Sequence, residues 1–548
     1  MTEPTATTPT VTAGPWPTAT EAALAAGRHP RSRPPLYLVL PALLVGLGVL
    51  LPLGYLLIRA LDADAAELST LIFRERNLRL LGNTVGLAIG VLALTSALAF
   101  PLAWLVTRTD LKARRLVTLI GVLPLAVPGY VTAYALLAAT GASGTLAQGF
   151  GIFIPRVSGY GGALLALSFY TFPYLFLNLR AALLGLDPAL EEAGRSLGLS
   201  GSQAARRIVL PQLRPAYLAG SLLVLLHVLG DFGVVSLMRF ETFSYAIYLQ
   251  YAAAYDRVYA AWLALMLLGL TVVVLVGEAR LLRNARFTRE GAGIARRATP
   301  SRLGPWTIPA YGFCAAVAAT TVVIPIAAVG DWFVRSTGPS PFAGVGSALW
   351  ASVSASLPAA VLAAGLALPI AYLGVRMPSR SARAFERVAY LGYATPPLAF
   401  ALALIVFTLS AAPFLYQTLT LLIVAYALHF MAEAIGPIRS ALYQAPQRLE
   451  SAARSLGRSP FAAFFAVTFP LLRRGLVVSI ALVFLSALKE LPITFLLSPL
   501  GFQSLSMGVW SATREAMFGA AAPYAIALIV ASALLVGLLL LREERSSG

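Results

Sequence analysis

The sequence predicts an all-α polytopic membrane protein of twelve transmembrane helices, arranged as two parallel six-helix repeats. Three observations predict it. Of 548 residues, 58% are hydrophobic and only 12% are charged, with a mean hydropathy of +0.79. A soluble chain of this length could not enclose that much apolar surface within a polar shell. The basic residues fall in alternate loops, and the two halves of the chain repeat each other. Together these exclude a soluble enzyme, a disordered chain and a disulfide scaffold. The single cysteine, Cys314, allows no intrachain disulfide.

Residues 1–35 are rich in Thr, Pro and Ala and lack apolar periodicity, so they are expected to form a disordered cytoplasmic tail. They are too polar and too long for a secretory signal, and the apolar run after them serves as an uncleaved first span. Twelve stretches can cross about 30 Å of hydrocarbon. They lie near 36–59, 81–106, 117–139, 160–181, 214–238 and 258–279, then 306–330, 346–374, 388–410, 415–436, 473–498 and 520–541. The expected organisation is a first transmembrane domain over 36–280, an Arg-rich cytoplasmic linker over 281–305, a second domain over 306–541 and a cytoplasmic tail over 542–548. Pro101, Pro128, Pro173, Pro369 and Pro396 interrupt spans, for gating or for kinked packing.

The charges support this division. One side of the membrane receives 31 of the 41 Lys and Arg, including the seven arginines of segment 280–302. The other side mixes its few basic residues with Asp62, Asp64, Glu67, Glu75, Glu241 and Asp256. By the positive-inside rule both termini are cytoplasmic. The net charge of +18 is therefore topological, and no nucleic-acid partner is expected.

Residues 97–108 read ALAFPLAWLVTR and 365–376 read GLALPIAYLGVR, an offset of 268. Residues 191–198 read EEAGRSLG and 450–457 read ESAARSLG, an offset of 259. A longer Gly-rich loop around Gly141–Gly151 in the first half accounts for the change in offset. Each half has an even number of spans, so both start on the same side, related by a pseudo-twofold axis along the membrane normal.

The longest inside loop of each half has one plan. Asp187 can cap a helix that begins with Pro188. Glu191 with Arg195, and Glu450 with Arg454, are spaced as i,i+4 pairs. Leu190, Ala193 and Leu197 form an apolar stripe. Gly198 and Gly457 suit the left-handed position that stops a helix, and Ser200 and Ser459 can cap a second one. Pro211 and Pro470 mark the start of the next span. A single such loop could lie on lipid; two with equal spacing favour docking to a two-fold symmetric partner.

Here the sequence resembles a known family. Glu192-Ala193-Gly194, then Gly198, Ile208 and Leu210-Pro211, is similar to the EAA loop of permease subunits of bacterial ABC importers. The second copy reads Ser451-Ala452-Ala453, Gly457, Val467, Phe469-Pro470, with Glu450 one residue before the place of the motif's first Glu. The resemblance covers residues 36–541 and implies a type I importer permease. In that family the loops are coupling helices that seat in an ATPase subunit. The implied partners are a homodimer of ATP-binding subunits, a periplasmic or extracellular solute-binding protein and membrane lipid, and the implied location is the bacterial inner membrane. Within the family, a fused pair of six-span halves resembles the ferric-iron importer permeases. The stretches Leu229-Gly230-Asp231-Phe232-Gly233, 242–248 and 500–505 also look like that branch. Thiamine, polyamine and phosphonate importers share the framework.

The chain carries two lysines, Lys112 and Lys489, neither preceded by glycine, so it has no GxxxxGK[ST] phosphate cradle. No cofactor is expected in this chain, ATP belongs to the partner subunit, and the protein is a transport component, not an enzyme. His29, His227, His429 and Cys314 are scattered and suggest no metal site; His227 and His429 read as polar packing groups. Asp231, Lys489 and Glu490 stand at membrane depth, where charge is costly unless paired or hydrated. Two readings fit them: an acidic translocation path for a cation, or an ion pair that closes the two halves. Tyr245, Tyr248, Tyr251 and Tyr255 fit either a docking surface or an interfacial belt. An ion-coupled secondary transporter would leave the paired loops unexplained, and a membrane-embedded enzyme would need convergent catalytic groups that the sequence lacks.

Overall fold

The computed structural model describes residues 35–61, 74–252, 254, 256–282, 300–336 and 342–547. The N-terminal tail, Asp62, Asp64, Glu67, Tyr255 and most of the Arg-rich linker lie outside them. The first half contains α1 (Leu36–Ala60), α2 (Glu75–Arg108), α3 (Arg114–Val122), α4 (Gly129–Ala139), α5 (Thr145–Phe150) and α6 (Gly159–Gly185). It continues with α7 (Pro188–Ser196), α8 (Gly201–Gly230), α9 (Gly233–Leu237), α10 (Phe243–Ala252) and α11 (Arg257–Leu282). The second half contains α12 (Gly304–Val334), α13 (Val345–Arg376), α14 (Arg380–Ala394), α15 (Pro397–Ala411) and α16 (Leu419–Gln444). It ends with α17 (Gln447–Ser455), α18 (Pro460–Leu488), α19 (Pro492–Leu497), α20 (Leu505–Arg514) and α21 (Phe518–Ser547). The last helix thus runs on through the segment assigned to the C-terminal tail.

Among the described residues, ten helices are long and apolar enough to cross a membrane. The other two expected spans, 117–139 and 388–410, are bent pairs. The helix ending at Ala126 meets α4 at 101°, and α14 meets α15 at 105°. The cause is local. A residue before proline is pushed out of the helical region, and Val127 (ψ 121°) and Thr395 (ψ 126°) are extended ahead of Pro128 and Pro396. Pro101, Pro173 and Pro369, by contrast, stand inside continuous helices. The fifth and eleventh spans also stop earlier than expected, at Gly230 and Leu488, and a short helix follows each break. All four breaks occur at equivalent places in the two halves.

The halves exchange their first helices. α1 packs on α13, α14 and α15, and α12 packs on α4 of the first half. Within each half the core is a three-helix unit, α2 with α6 and α8, and α13 with α16 and α18. Small residues permit the close approach: Ala355, Ala359, Ala363 and Ala367 form a buried ridge along α13.

Candidate functional site

Two regions collect the residues singled out in the sequence. The first is the pair of loops. Asp187 accepts from the Ala189 amide at 2.9 Å and caps α7. Ser200 and Gln203 form a reciprocal capping box, and Ser459 accepts from the Ala462 amide at 3.2 Å. Gly198 (φ +91°) and Gly457 (φ +85°) take the left-handed conformation that ends each loop helix. The second helix of each loop, however, is not separate from the span. It runs into it through a π turn, Ala205–Val209 or Phe464–Thr468, just before Pro211 or Pro470. A proline near the start of a long helix lacks a donor and crowds the preceding turn, and the widened turn accommodates both.

The expected i,i+4 pairs do not form. Glu191 pairs with Arg108 at the end of α2, at 3.1 Å. Glu450, equivalent by the offset of 259, accepts from Tyr372 at 2.9 Å and Thr468 at 2.8 Å. Tertiary partners win because each loop helix lies against the end of α2 or α13, where a half-buried carboxylate needs a donor more than an exposed one does. Arg376, the equivalent of Arg108, instead donates to Ala445 O at 2.6 Å.

The motif spacing also acquires a physical reason. A Cβ on Gly194 would stand 2.3 Å from Ile208 Cδ1, so these two positions form one packing unit. The equivalent pair is Ala453 and Val467, where the extra methyl on one is matched by a methylene lost from the other. At this pair the two copies differ in residue but conserve volume. Glu192, Ala193, Leu190 and Leu197 are exposed, as are Ser451, Ala452 and Leu456. The apolar stripe is therefore uncovered by this chain. Leu210 and Pro211, like Phe469 and Pro470, continue the helix above it.

The second region is a cavity of about 200 Å³ between the halves. Both bent corners line it, together with the ends of α8 and α18. The pseudo-twofold relates its wall positions: Tyr170 to His429, Tyr174 to Glu433, His227 to Ser486, Gly230 to Lys489 and Asp231 to Glu490. All ten line it. Asp231 Oδ1 accepts from Val234 N at 2.8 Å, and Glu490 Oε1 from Ile493 N at 3.0 Å. The Ser244 hydroxyl donates to Asp231 O (2.6 Å), and Ser506 likewise to Glu490 O (2.9 Å). Lys489 breaks the symmetry. Its Nζ donates to Leu125 O at 3.1 Å, at the bent corner of the other half. An ion pair between Lys489 and a carboxylate, one of the two readings of these charges, is not formed among the described residues.

The sequence offered His227 and His429 only as polar packing groups; the structure places both, with Glu433, in the cavity wall. Glu433 accepts from Ser486 at 2.7 Å. His227 packs 4.4 Å from the Tyr174 ring, and His429 lies among Tyr393, Phe400 and Phe430. The offset of 259, applied to each polar residue of the spans, would have found them. The tyrosine stretch also differs from both earlier readings at one position. Tyr248 is buried in an aromatic cluster with Phe232, Phe495 and Trp510, and Arg514 donates to its hydroxyl at 2.9 Å. It belongs to the contact between halves. Among the described residues no three His, Cys, Asp or Glu converge as metal ligands.

The profile of the binding-protein-dependent transport system inner membrane component matches residues 98–287 and again 356–545. Each match begins inside α2 or α13 and leaves out the exchanged first helix. The chain is 31% identical over 512 residues, 92% of its length and 98% of the relative's, to the Fe(3+)-transport system permease protein FbpB 2 of Haemophilus influenzae. It is 29% identical over 226 residues (41% of this chain, 81% of the relative) to a probable molybdenum ABC transporter permease protein of Haloferax volcanii. Over 135 residues (24% and 49%) it is 33% identical to the sulfate transport system permease protein CysT of Salmonella typhimurium.

Proposed function

The chain belongs to the family of binding-protein-dependent transport system inner membrane components, and from that premise we propose that it carries ferric iron into the cytoplasm for a separate, dimeric ATPase. Both termini and both loops face the cytoplasm. Each ATPase subunit seats one loop helix, on the exposed faces of Glu192, Ala193 and Leu197 or of Ser451, Ala452 and Leu456. A solute-binding protein delivers the ion from the outer side. Closing the ATPase dimer draws the two loops together. Glu191–Arg108 and Glu450–Tyr372 pass that movement to α2 and α13, whose units enclose the cavity.

One observation carries the choice of a cation. The cavity presents three carboxylates, Asp231, Glu433 and Glu490, against one ammonium, Lys489. At low effective dielectric such a wall attracts a cation and repels the oxyanions that sulfate or molybdenum permeases are named for. The carboxylates of this wall are anchored by backbone amides and a serine. That suits passage, with weak multi-site contact, better than chelation.

The test is uptake of radioactive ferric iron into proteoliposomes containing the chain, its ATPase and the binding protein. Uptake requires ATP and all three components, and neither sulfate nor molybdate competes. Gly198→Asp, at φ +91°, leaves the ATPase bound but abolishes coupled uptake. Uptake driven by an ion gradient without ATPase, or preferential uptake of an oxyanion, overturns the proposal.

A further inference from the structure

On the loop side of the first half an open apolar groove of about 530 Å³ runs between α2, the start of α8 and the start of α12. That lies within the roughly 300–1,000 Å³ of ligand sites. Phe100 and Trp104 form one wall, Leu210 and Arg206 the second, Trp306 and Phe313 the third. The third wall is pinned in place. Ser301 N donates to Arg108 O at 2.9 Å, Asp110 N to Ser301 O at 3.1 Å, and Leu303 N to Asp110 Oδ1 at 3.0 Å.

The other half carries rings at the equivalent positions, and Phe461 (63%) and Phe465 (46%) stay exposed there. Ser202, Ala205, Arg206 and Leu210 correspond to Phe461, Phe464, Phe465 and Phe469, and Trp104 to Tyr372. Those phenylalanines stack on one another at 4.6–6.4 Å, and Phe464 packs 5.8 Å from Tyr372. The first half replaces that aromatic cluster with Ser202, Ala205, Leu210 and one cation, Arg206. Arg206 is exposed and has no hydrogen bond or ion pair among the described residues. Trp306 is 70% exposed beside it. A tryptophan and an exposed arginine at the mouth of an apolar groove, beside a helix that crosses the membrane, mark the lipid–water interface.

We propose that this groove binds one anionic phospholipid of the leaflet beside the loops. An acyl chain lies along Phe100, Trp104, Leu210 and Phe313, where the other half carries bulky rings on its loop helix, and the headgroup phosphate meets Arg206. Charge selects this occupant. The segment 283–299 carries Arg283, Arg286, Arg289, Arg296 and Arg297 against one acid, Glu290. It is poorly suited to seat against Arg206, whereas a phosphate complements both. The lipid would lie against the π turn through which the loop joins α8.

The experiment is native mass spectrometry of the purified full chain, titrated with phosphatidylglycerol or phosphatidylcholine; it needs no ATPase or transport. The expected result is one retained phosphatidylglycerol with about a fivefold preference over phosphatidylcholine, the contribution of one basic residue at an anionic surface. Arg206→Ala abolishes the preference but keeps chain binding. Ala205→Phe with Arg206→Phe, which installs the residues of the other half, abolishes retention. A second measurement uses the protein without either change. Phosphatidylglycerol brominated on its acyl chain quenches tryptophan fluorescence, and Trp306→Phe removes a quenched component. Equal retention of both lipids by the wild type, retention unaffected by the Phe pair, or quenching unchanged in Trp306→Phe overturns the proposal.

Discussion

Neutralising the two equivalent carboxylates of the cavity, Asp231→Asn with Glu490→Gln, separates the path reading from the ion-pair reading by the sign of a third substitution. The side-chain shapes are kept. Asp231 Oδ1 accepts from Val234 N at 2.8 Å and Glu490 Oε1 from Ile493 N at 3.0 Å, and an amide oxygen can accept both. The change from a charged to a neutral acceptor weakens each bond by about 1 kcal/mol, offset by the easier burial of a neutral group. The double variant should therefore lose no more than about 2 kcal/mol. If Lys489 were paired with these carboxylates, the double variant would strand it, at about 3–5 kcal/mol. Adding Lys489→Met would then restore stability. In the structure Lys489 donates to Leu125 O at 3.1 Å. Adding Lys489→Met therefore orphans that carbonyl, and the triple variant should be less stable by a further 1–3 kcal/mol or so. Thermal unfolding and ATP-driven iron uptake are measured on all three proteins. At an effective dielectric near 20, a charge about 6 Å from the ion contributes roughly 2–3 kcal/mol, so uptake should fall at least about tenfold in the double variant. A large stability loss that Lys489→Met reverses, with uptake recovering, would refute this reasoning.

Gly194→Ala should cost about 1–3 kcal/mol through the 2.3 Å approach to Ile208 Cδ1, and Ile208→Val on top should restore both stability and coupled uptake; thermal unfolding of the two variants checks it. Gly198→Ala meets nothing within 4 Å, so its cost is the backbone alone, about 1–2 kcal/mol, with ATPase binding retained in co-purification. The Arg108 side chain is 7% exposed and Glu191 25%. Arg108→Met should therefore destabilise by about 2–4 kcal/mol, more than Arg108→Met combined with Glu191→Leu does; a double-mutant cycle that returns no coupling removes Glu191 as a link. Tyr372→Phe takes one donor from Glu450, and ATP-driven uptake should drop several-fold while Thr468 holds the loop helix in place.

The helical class, the duplication, the loop glycines and the serine caps were legible in the sequence because each is a local matter. Hydrophobic runs, positive φ and a hydroxyl three residues from an amide depend on neighbours within one turn, and both copies agreed on them. The broken spans were hidden, because a proline inside an apolar run reads alike whether its helix bends, as at Pro128 and Pro396, or runs through, as at Pro101 and Pro369. Only packing decides which. The same limit governs the charges. Spacing offered Glu191 to Arg195 and Glu450 to Arg454, but a partly buried carboxylate takes the donor that the fold brings to it, Arg108 in one half and Tyr372 with Thr468 in the other. The sequence by itself determined which residues occur twice. The tertiary structure alone decided that the two sets of Tyr, His, Asp and Glu face one cavity, and that Lys489 serves a carbonyl of the opposite half, because the wall is drawn from both halves and Lys489 lies 364 positions from Leu125, distances that no local propensity relates.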